Sequence, residues 1–212
     1  MGVTKSSEVI VELSNKLRYE SETGTANSAV GVQVWGSRPL IISASHATPH
    51  VRLGRVKYAE SKTGAIALLL GQILGGVSII PLLPQNDDPN FDLIENGLYK
   101  ATLASLLSED SVLLDIHGMK DGSGVDLCIG TGGLKPTPEN LMPICNSLVS
   151  SFGLVGMTAN IDDPFDASHP GTIAAFGWSR CRTSIQLELS VSSRIPPQLG
   201  LTFDALVAAL SD

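Results

Sequence analysis

The run Leu40–Ile41–Ile42–Ser43–Ala44–Ser45–His46–Ala47–Thr48–Pro49–His50 passes from branched apolar residues to small polar ones and two histidines. A short, continuous apolar stretch of this kind reads as a strand buried on both faces, which requires a sheet covered by helices. The end of such a strand delivers its side chains to the carboxyl edge of the sheet, where open α/β folds receive ligands. Val112–Leu113–Leu114–Asp115–Ile116–His117 repeats the design and stops at Gly118. A third segment, Ile185–Gln186–Leu187–Glu188–Leu189, sets one carboxylate in an otherwise apolar alternation. The three read as arms of a metal site, with Glu60 closing it.

The remaining pattern alternates strands with helices, which argues for a mixed sheet between helical layers. Val30–Trp35 alternates at period two, and Leu40–Ser45 is the first core strand. Ser7–Ser14 fits either a strand or a short helix, Tyr19–Ser28 reads as a loop, and Thr48–Tyr58 as a loop returning over the strand end. Glu60–Gly75 is the clearest helix, with Ile66, Leu69, Leu70 and Ile73 at i, i+3, i+4, i+7 and Gly75 as its stop. Val77–Leu83, Val112–His117, Val125–Gly130, Leu154–Thr158 and Ile185–Val191 read as strands. Leu98–Leu107, Pro138–Phe152 and Phe203–Leu210 read as helices. No internal repeat or linker divides residues 1–212, so a single domain is expected.

Composition excludes some functions. The 14 basic residues against 21 acidic ones, with no basic block, disfavour nucleic acid and anionic membranes as partners. Aromatic residues are only 5 % of the chain, so base stacking is poorly supplied. No apolar run is long enough to span a bilayer, and the polar N-terminal segment carries no signal-peptide pattern, making a cytoplasmic location the expectation. Cys128, Cys145 and Cys181 fit neither a disulfide framework nor a zinc knuckle and read as reduced core thiols.

Two strand-end imidazoles and one carboxylate are the donor set of a three-ligand catalytic metal site with an open position. His46 and His117 can equally be hydrogen-bonded core residues, and Glu60 can serve only the N-terminus of its helix. Asp115, two residues before His117, shares its strand face and can orient it. Glu188 either faces water together with Gln186 or faces the metal, where it is placed to accept a proton. His50 is a candidate substrate contact or a solvated loop residue. Gly130–Thr131–Gly132–Gly133 lacks the Lys-Ser/Thr of a phosphate loop and reads as a tight turn. His169, in His-Pro-Gly-Thr, reads as a lid residue or a surface turn.

Ser45–His46–Ala47–Thr48–Pro49, Asp115–Ile116–His117–Gly118–Met119, Val125–Asp126–Leu127–Cys128–Ile129–Gly130–Thr131 and Ile185–Gln186–Leu187–Glu188–Leu189 together resemble N-formylglutamate amidohydrolases, in the right order between about residues 40 and 195. That family resembles zinc carboxypeptidases and aspartoacylases. The resemblance implies an α/β fold, a three-layer α/β/α phosphorylase/hydrolase-like arrangement with a mixed central sheet. It implies Zn²⁺ held by His46, Glu60 and His117, with Glu188 as general base and acid. Asn90 and Asp92 fall where the family has an Asp-x-Asn-Arg segment, but here no arginine follows Asn90; the family's later arginine is matched by Arg194.

The expected activity is zinc-dependent hydrolysis of an amide in an N-acyl amino acid or similar small molecule. Arg52, Arg55, Lys120 and Arg194 are the candidates to grip a substrate carboxylate, with Asn90 and His169 beside them. The alternatives are a carboxypeptidase-like metallopeptidase acting on peptides, and a metal- or ligand-binding protein of the same fold without turnover.

Overall fold

Leu40–Ser43 forms β2, and all four of its residues are buried, as its apolar run requires. It lies near the middle of a mixed seven-stranded sheet of order β1-β5-β2-β6-β9-β7-β8. The computed structural model describes residues 3–93, 97–133 and 138–211; Met1 and Gly2 of the polar N-terminal segment lie outside them.

In chain order the elements are α1 (Val3–Thr23), β1 (Val30–Val34), β2, β3 (His50–Arg52), β4 (Arg55–Lys57), α2 (Thr63–Leu74), β5 (Val77–Pro81), α3 (Leu98–Leu106), β6 (Val112–Gly118), β7 (Leu127–Gly130), α4 (Met142–Leu154), β8 (Ala159–Ile161), α5 (Ile173–Gly177), β9 (Thr183–Leu189) and α6 (Gln198–Leu210). Strands β5, β2, β6 and β9 run parallel, while β1 and β7 pair antiparallel to their neighbours β5 and β9.

Alternate residues of the central strands feed two cores. Leu40, Ile42, Leu114, Ile116, Ile185 and Leu187 pack under α1, α2, α4 and α6. Ile41, Ile79 and Leu113 pack on the other face against Tyr99 and Leu103 of α3 and Ile173 and Phe176 of α5. This is the expected three-layer α/β/α arrangement. On the α3/α5 face, a Cβ at Gly177 would collide with Ser184 Oγ, so only glycine lets α5 approach the sheet this closely.

The chain leaves β2 through α2 to reach β5 on one side, then returns through α3 to β6 on the other. The connections therefore diverge between β2 and β6. That gap, at the carboxyl ends of the strands, is where such a sheet opens a crevice.

Four expectations change. Ser7–Ser14 and the start of the Tyr19–Ser28 loop are one helix, α1, whose buried face includes Ser6, Ser7, Ile10 and Ser21. Serines occupy places that a periodicity count reserves for apolar residues, so the pattern hides the helix. The Thr48–Tyr58 loop is the β3–β4 hairpin. The strand expected at Leu154–Thr158 lies later, at Ala159–Ile161. Glu60 precedes α2, which starts at Thr63, so it is a loop residue and not the first residue of the helix. No helix among the described residues is long and apolar enough to cross a membrane.

Candidate metal centre

β2 and β6 run parallel in register, with Ser43 opposite Asp115. His46 follows the end of β2, and His117 sits on the last turn of the pleat of β6. Glu60 comes from the loop between the hairpin and α2, drawn in by its own N–H donating to the His46 carbonyl at 2.9 Å. The three meet at a point: Glu60 Oε1 is 3.0 Å from His46 Nδ1, and Glu60 Oε2 is 3.0 Å from His117 Nδ1. The Gly118 N–H donates to the same Oε2 at 2.9 Å.

The far nitrogen of each imidazole has its own carboxylate. His46 Nε2 lies 2.8 Å from Asp88 Oδ1, and His117 Nε2 lies 2.6 Å from Asp115 Oδ2. Each carboxylate is itself held, Asp115 by the Ser43 hydroxyl and Asp88 by the Arg52 guanidinium and the Asn90 N–H. This fixes the Nε2–H tautomer on both rings and turns both Nδ1 lone pairs toward Glu60. A lone pair facing a carboxylate lone pair is repulsive unless a cation lies between them.

The protonation energetics say the same. Burial opposes a charged His117, yet the Asp115 and Glu60 carboxylates outweigh it and raise its pKa well above 6.5. His46 is likewise raised, by Asp88 and Glu60 against burial. Burial pushes the Glu60 carboxyl up, but the two imidazoles hold it well below its usual range. In this arrangement protons occupy the places a divalent cation would take. Two imidazoles and a carboxylate, each ring oriented by a further carboxylate, fit a divalent metal of the zinc type.

A second set, His46, His50 and Asp88, also brings potential ligand atoms together. Its carboxylate already accepts from Arg52 and the Asn90 N–H, and its imidazoles stack 3.9 Å apart. It serves as a platform under His46. His50 is thus a buried support and not a solvated loop residue.

Glu188 is opposite His117 in the β6–β9 register, so both side chains rise from one sheet face. That face is covered by α3 and α5, and the alternation that reads as water-facing turns inward: Gln186 is buried and Glu188 lines the cleft. A relay fixes its carboxylate. The Ile173 N–H donates to Asn90 Oδ1 at 2.7 Å, Asn90 Nδ2 to Gln186 Oε1 at 3.2 Å, and Gln186 Nε2 to Glu188 Oε1 at 2.8 Å. Burial lifts the Glu188 pKa to about 7; Glu60 adds to the rise, against the opposing pull of His117.

A cleft of about 550 Å³ opens above the centre and is lined by His46, Glu60, His117 and Glu188 together with Arg52, Asn90, Lys120 and His169. Arg52 lies over the Phe91 ring at 4.9 Å, and His169 stacks on the same ring at 4.6 Å. Asn90 forms part of the wall, with both ends of its amide bonded within the protein. Arg194 does not reach the cleft: its guanidinium is buried behind Gly118 and donates to the Leu189, Ser190, Ser61 and Met119 carbonyls. The expectation that it meets a substrate carboxylate fails because all of its nitrogens are already bonded. Nothing in the sequence marks Asp88 as part of the site, since it lies in Asn-Asp-Asp-Pro-Asn and reads as turn chemistry.

No protein-family model and no curated protein sequence matches the chain. Its fold is shared with several solved structures. A bacteriophage poly-gamma-glutamate hydrolase aligns at 18 % identity and TM-score 0.55, over 91 % of this chain and 94 % of that one. An N-formylglutamate amidohydrolase from Ralstonia eutropha JMP134 aligns at 12 % identity and TM-score 0.59, over 86 % and 96 % of the two chains. A gene product of Agrobacterium tumefaciens aligns at 13 % identity and TM-score 0.56, over 89 % and 94 %. At these identities the likeness is one of fold, and it is the hydrolase-like fold to which the sequence resemblance pointed.

Proposed function

We propose that the protein is a zinc-dependent amidohydrolase acting on the amide bond of an N-acyl amino acid or a closely similar molecule. The observation that carries this reading is the pair of imidazole Nδ1 atoms turned onto one carboxylate, with Glu188 on the adjacent strand lining the same cleft.

His46, Glu60 and His117 would hold the zinc. When bound, zinc supplies Lewis acidity toward a carbonyl oxygen and makes water a stronger acid. Glu188, with its pKa near neutrality, accepts a proton from the attacking water and passes it to the leaving amine nitrogen. Gln186 holds one oxygen of that carboxylate and leaves the other for proton transfer. Arg52 and Lys120, on the cleft wall, attract the substrate carboxylate. The two named hydrolases of this fold carry names built on glutamate derivatives, which supports an acidic amino acid on the substrate.

The test combines elemental analysis with a hydrolysis panel of N-formyl and N-acetyl amino acids. The reading expects one zinc per chain and hydrolysis that a chelator abolishes and zinc restores. Stoichiometric zinc without hydrolysis of any amide would leave a binding protein; activity indifferent to chelation would remove the metal.

A further inference from the structure

The β3–β4 hairpin carries only positive charge. Its register sets His50 opposite Lys57 and Arg52 opposite Arg55, so these four side chains share one face while Val51 and Val56 share the other. The turn between the strands, Leu53 and Gly54, has φ of 51° and 73°, the left-handed pair that closes a two-residue hairpin tightly.

Like charges directly opposite one another destabilise a strand pair. Asp88 compensates only the inner members of this set, His50 and Arg52. Arg55 and Lys57 are exposed, and among the described residues neither has an acidic partner within 4.0 Å. In a chain with 21 acidic residues against 14 basic ones, such a strip inverts the average surface. Arg52 lines the metal cleft, and the register sets Arg55 directly across from it on the same hairpin face, so the strip borders the cleft at Arg52.

We infer that Arg55 and Lys57 form an outer subsite beside Arg52 that reads a second anionic group, and that the substrate is an extended amide bearing several carboxylates. The inference rests on the amidohydrolase reading for the identity of the bond cut. Arg52 meets the carboxylate nearest the scissile amide, and Arg55 and Lys57 meet those further along the chain. The uncompensated charge on the hairpin is then neutralised when substrate binds.

The experiment compares zinc-loaded wild type with the double variant Arg55→Gln, Lys57→Gln on two substrates, N-formylglutamate and a γ-linked glutamate hexamer. Two exposed ion pairs correspond to roughly a fivefold loss in kcat/KM on the hexamer, carried by KM. Hydrolysis of N-formylglutamate should change less than twofold, and added salt should erode the hexamer preference of the wild type only. Equal effects on both substrates, or none on either, would overturn the subsite. A parallel measurement follows anisotropy of a fluorescein-labelled hexamer on Glu188→Gln protein with and without the hairpin substitutions. If no amide is cut but hexamer binding depends on Arg55 and Lys57, the hydrolase reading falls and the subsite stands. If N-formylglutamate is cut and hexamer binding ignores the hairpin, the reverse holds.

Discussion

Asp115 and His117 stand two residues apart on β6 and share a contact of 2.6 Å between Asp115 Oδ2 and His117 Nε2. The strand period places them on one face, and Ser43 on the neighbouring strand locks the other carboxylate oxygen. The proton of His117 is thereby held away from the centre. In Asp115→Asn an amide replaces the charge, the ring loses its strong acceptor, and the Nδ1 lone pair becomes a poorer ligand. Zinc affinity measured against a competing chelator should fall by about 10- to 100-fold, with the far-UV spectrum unchanged. Unchanged affinity would mean that the pair is only structural.

Glu188→Gln is isosteric and keeps the Gln186 contact, so the zinc content should remain that of wild type. Loss of acid–base catalysis should lower kcat by about two to four orders of magnitude. The wild-type kcat/KM profile should also show an acid limb, because a base must be unprotonated to accept a proton. The carboxyl has its pKa at about 7 before any cation is added, and a cation beside it pulls that value down. The limb should therefore fall at or below pH 7 and vanish in the variant. A surviving limb of the same midpoint would assign it to another group.

Strands β2, β6 and β9 were legible because each is apolar enough to be buried on both faces, and three of the four central residues sit on or just beyond their ends. Glu60 was legible as a residue but not as a position: it read as a helix start and is a loop residue that reaches back to His46. Asp88 was lost because a turn-forming Asp and a ligand-orienting Asp look alike until the fold brings His46, His50 and Arg52 around it. The β3–β4 hairpin was hidden by its Leu-Gly turn, which lacks the Asn-Gly or Asp-Gly signal. Helix α1 was hidden by its serines, whose small hydroxyls fill the buried stripe that leucines usually mark. Local pattern reports burial well, whereas it says little about which polar residues meet across the fold.

The metal-free protein should be most stable in mild acid. His46 and His117 have folded-state pKa values raised above 6.5, so their contribution is complete below that value and is lost as pH rises through the folded values. Glu188, raised from 4.5 to about 7, works in the same direction, since the folded state binds its proton more tightly between those values. Glu60 and Asp88 are depressed, and their contribution is lost as the pH falls through and below the usual carboxylate range. On the proposed reading zinc would take the place of the protons on Nδ1 and so would bind more tightly at higher pH. Thermal melts should show Tm of the metal-free protein dropping from pH 6 to pH 8 and the zinc-induced rise in Tm growing over that range. A zinc effect larger at pH 6 would contradict proton–metal competition at these imidazoles.

Arg194 supplies the sharpest contrast between a role implied by a family resemblance and one read from geometry. Its Nη1 donates to the Ser61 carbonyl at 2.7 Å, next to Glu60, and its Nη2 to the Met119 carbonyl at 3.3 Å, two residues beyond His117. Its Nε bridges the Leu189 and Ser190 carbonyls at the end of β9. One guanidinium thus ties together the three segments that carry Glu60, His117 and Glu188. Arg194→Ala leaves four carbonyls without that donor, a loss of roughly 3–5 kcal/mol in stability by denaturant unfolding. Arg194→Lys, which keeps the charge but not the fork, should recover only part of it. At saturating zinc the KM of either variant should stay near wild type. A large rise in KM with normal stability would place the guanidinium on the substrate instead.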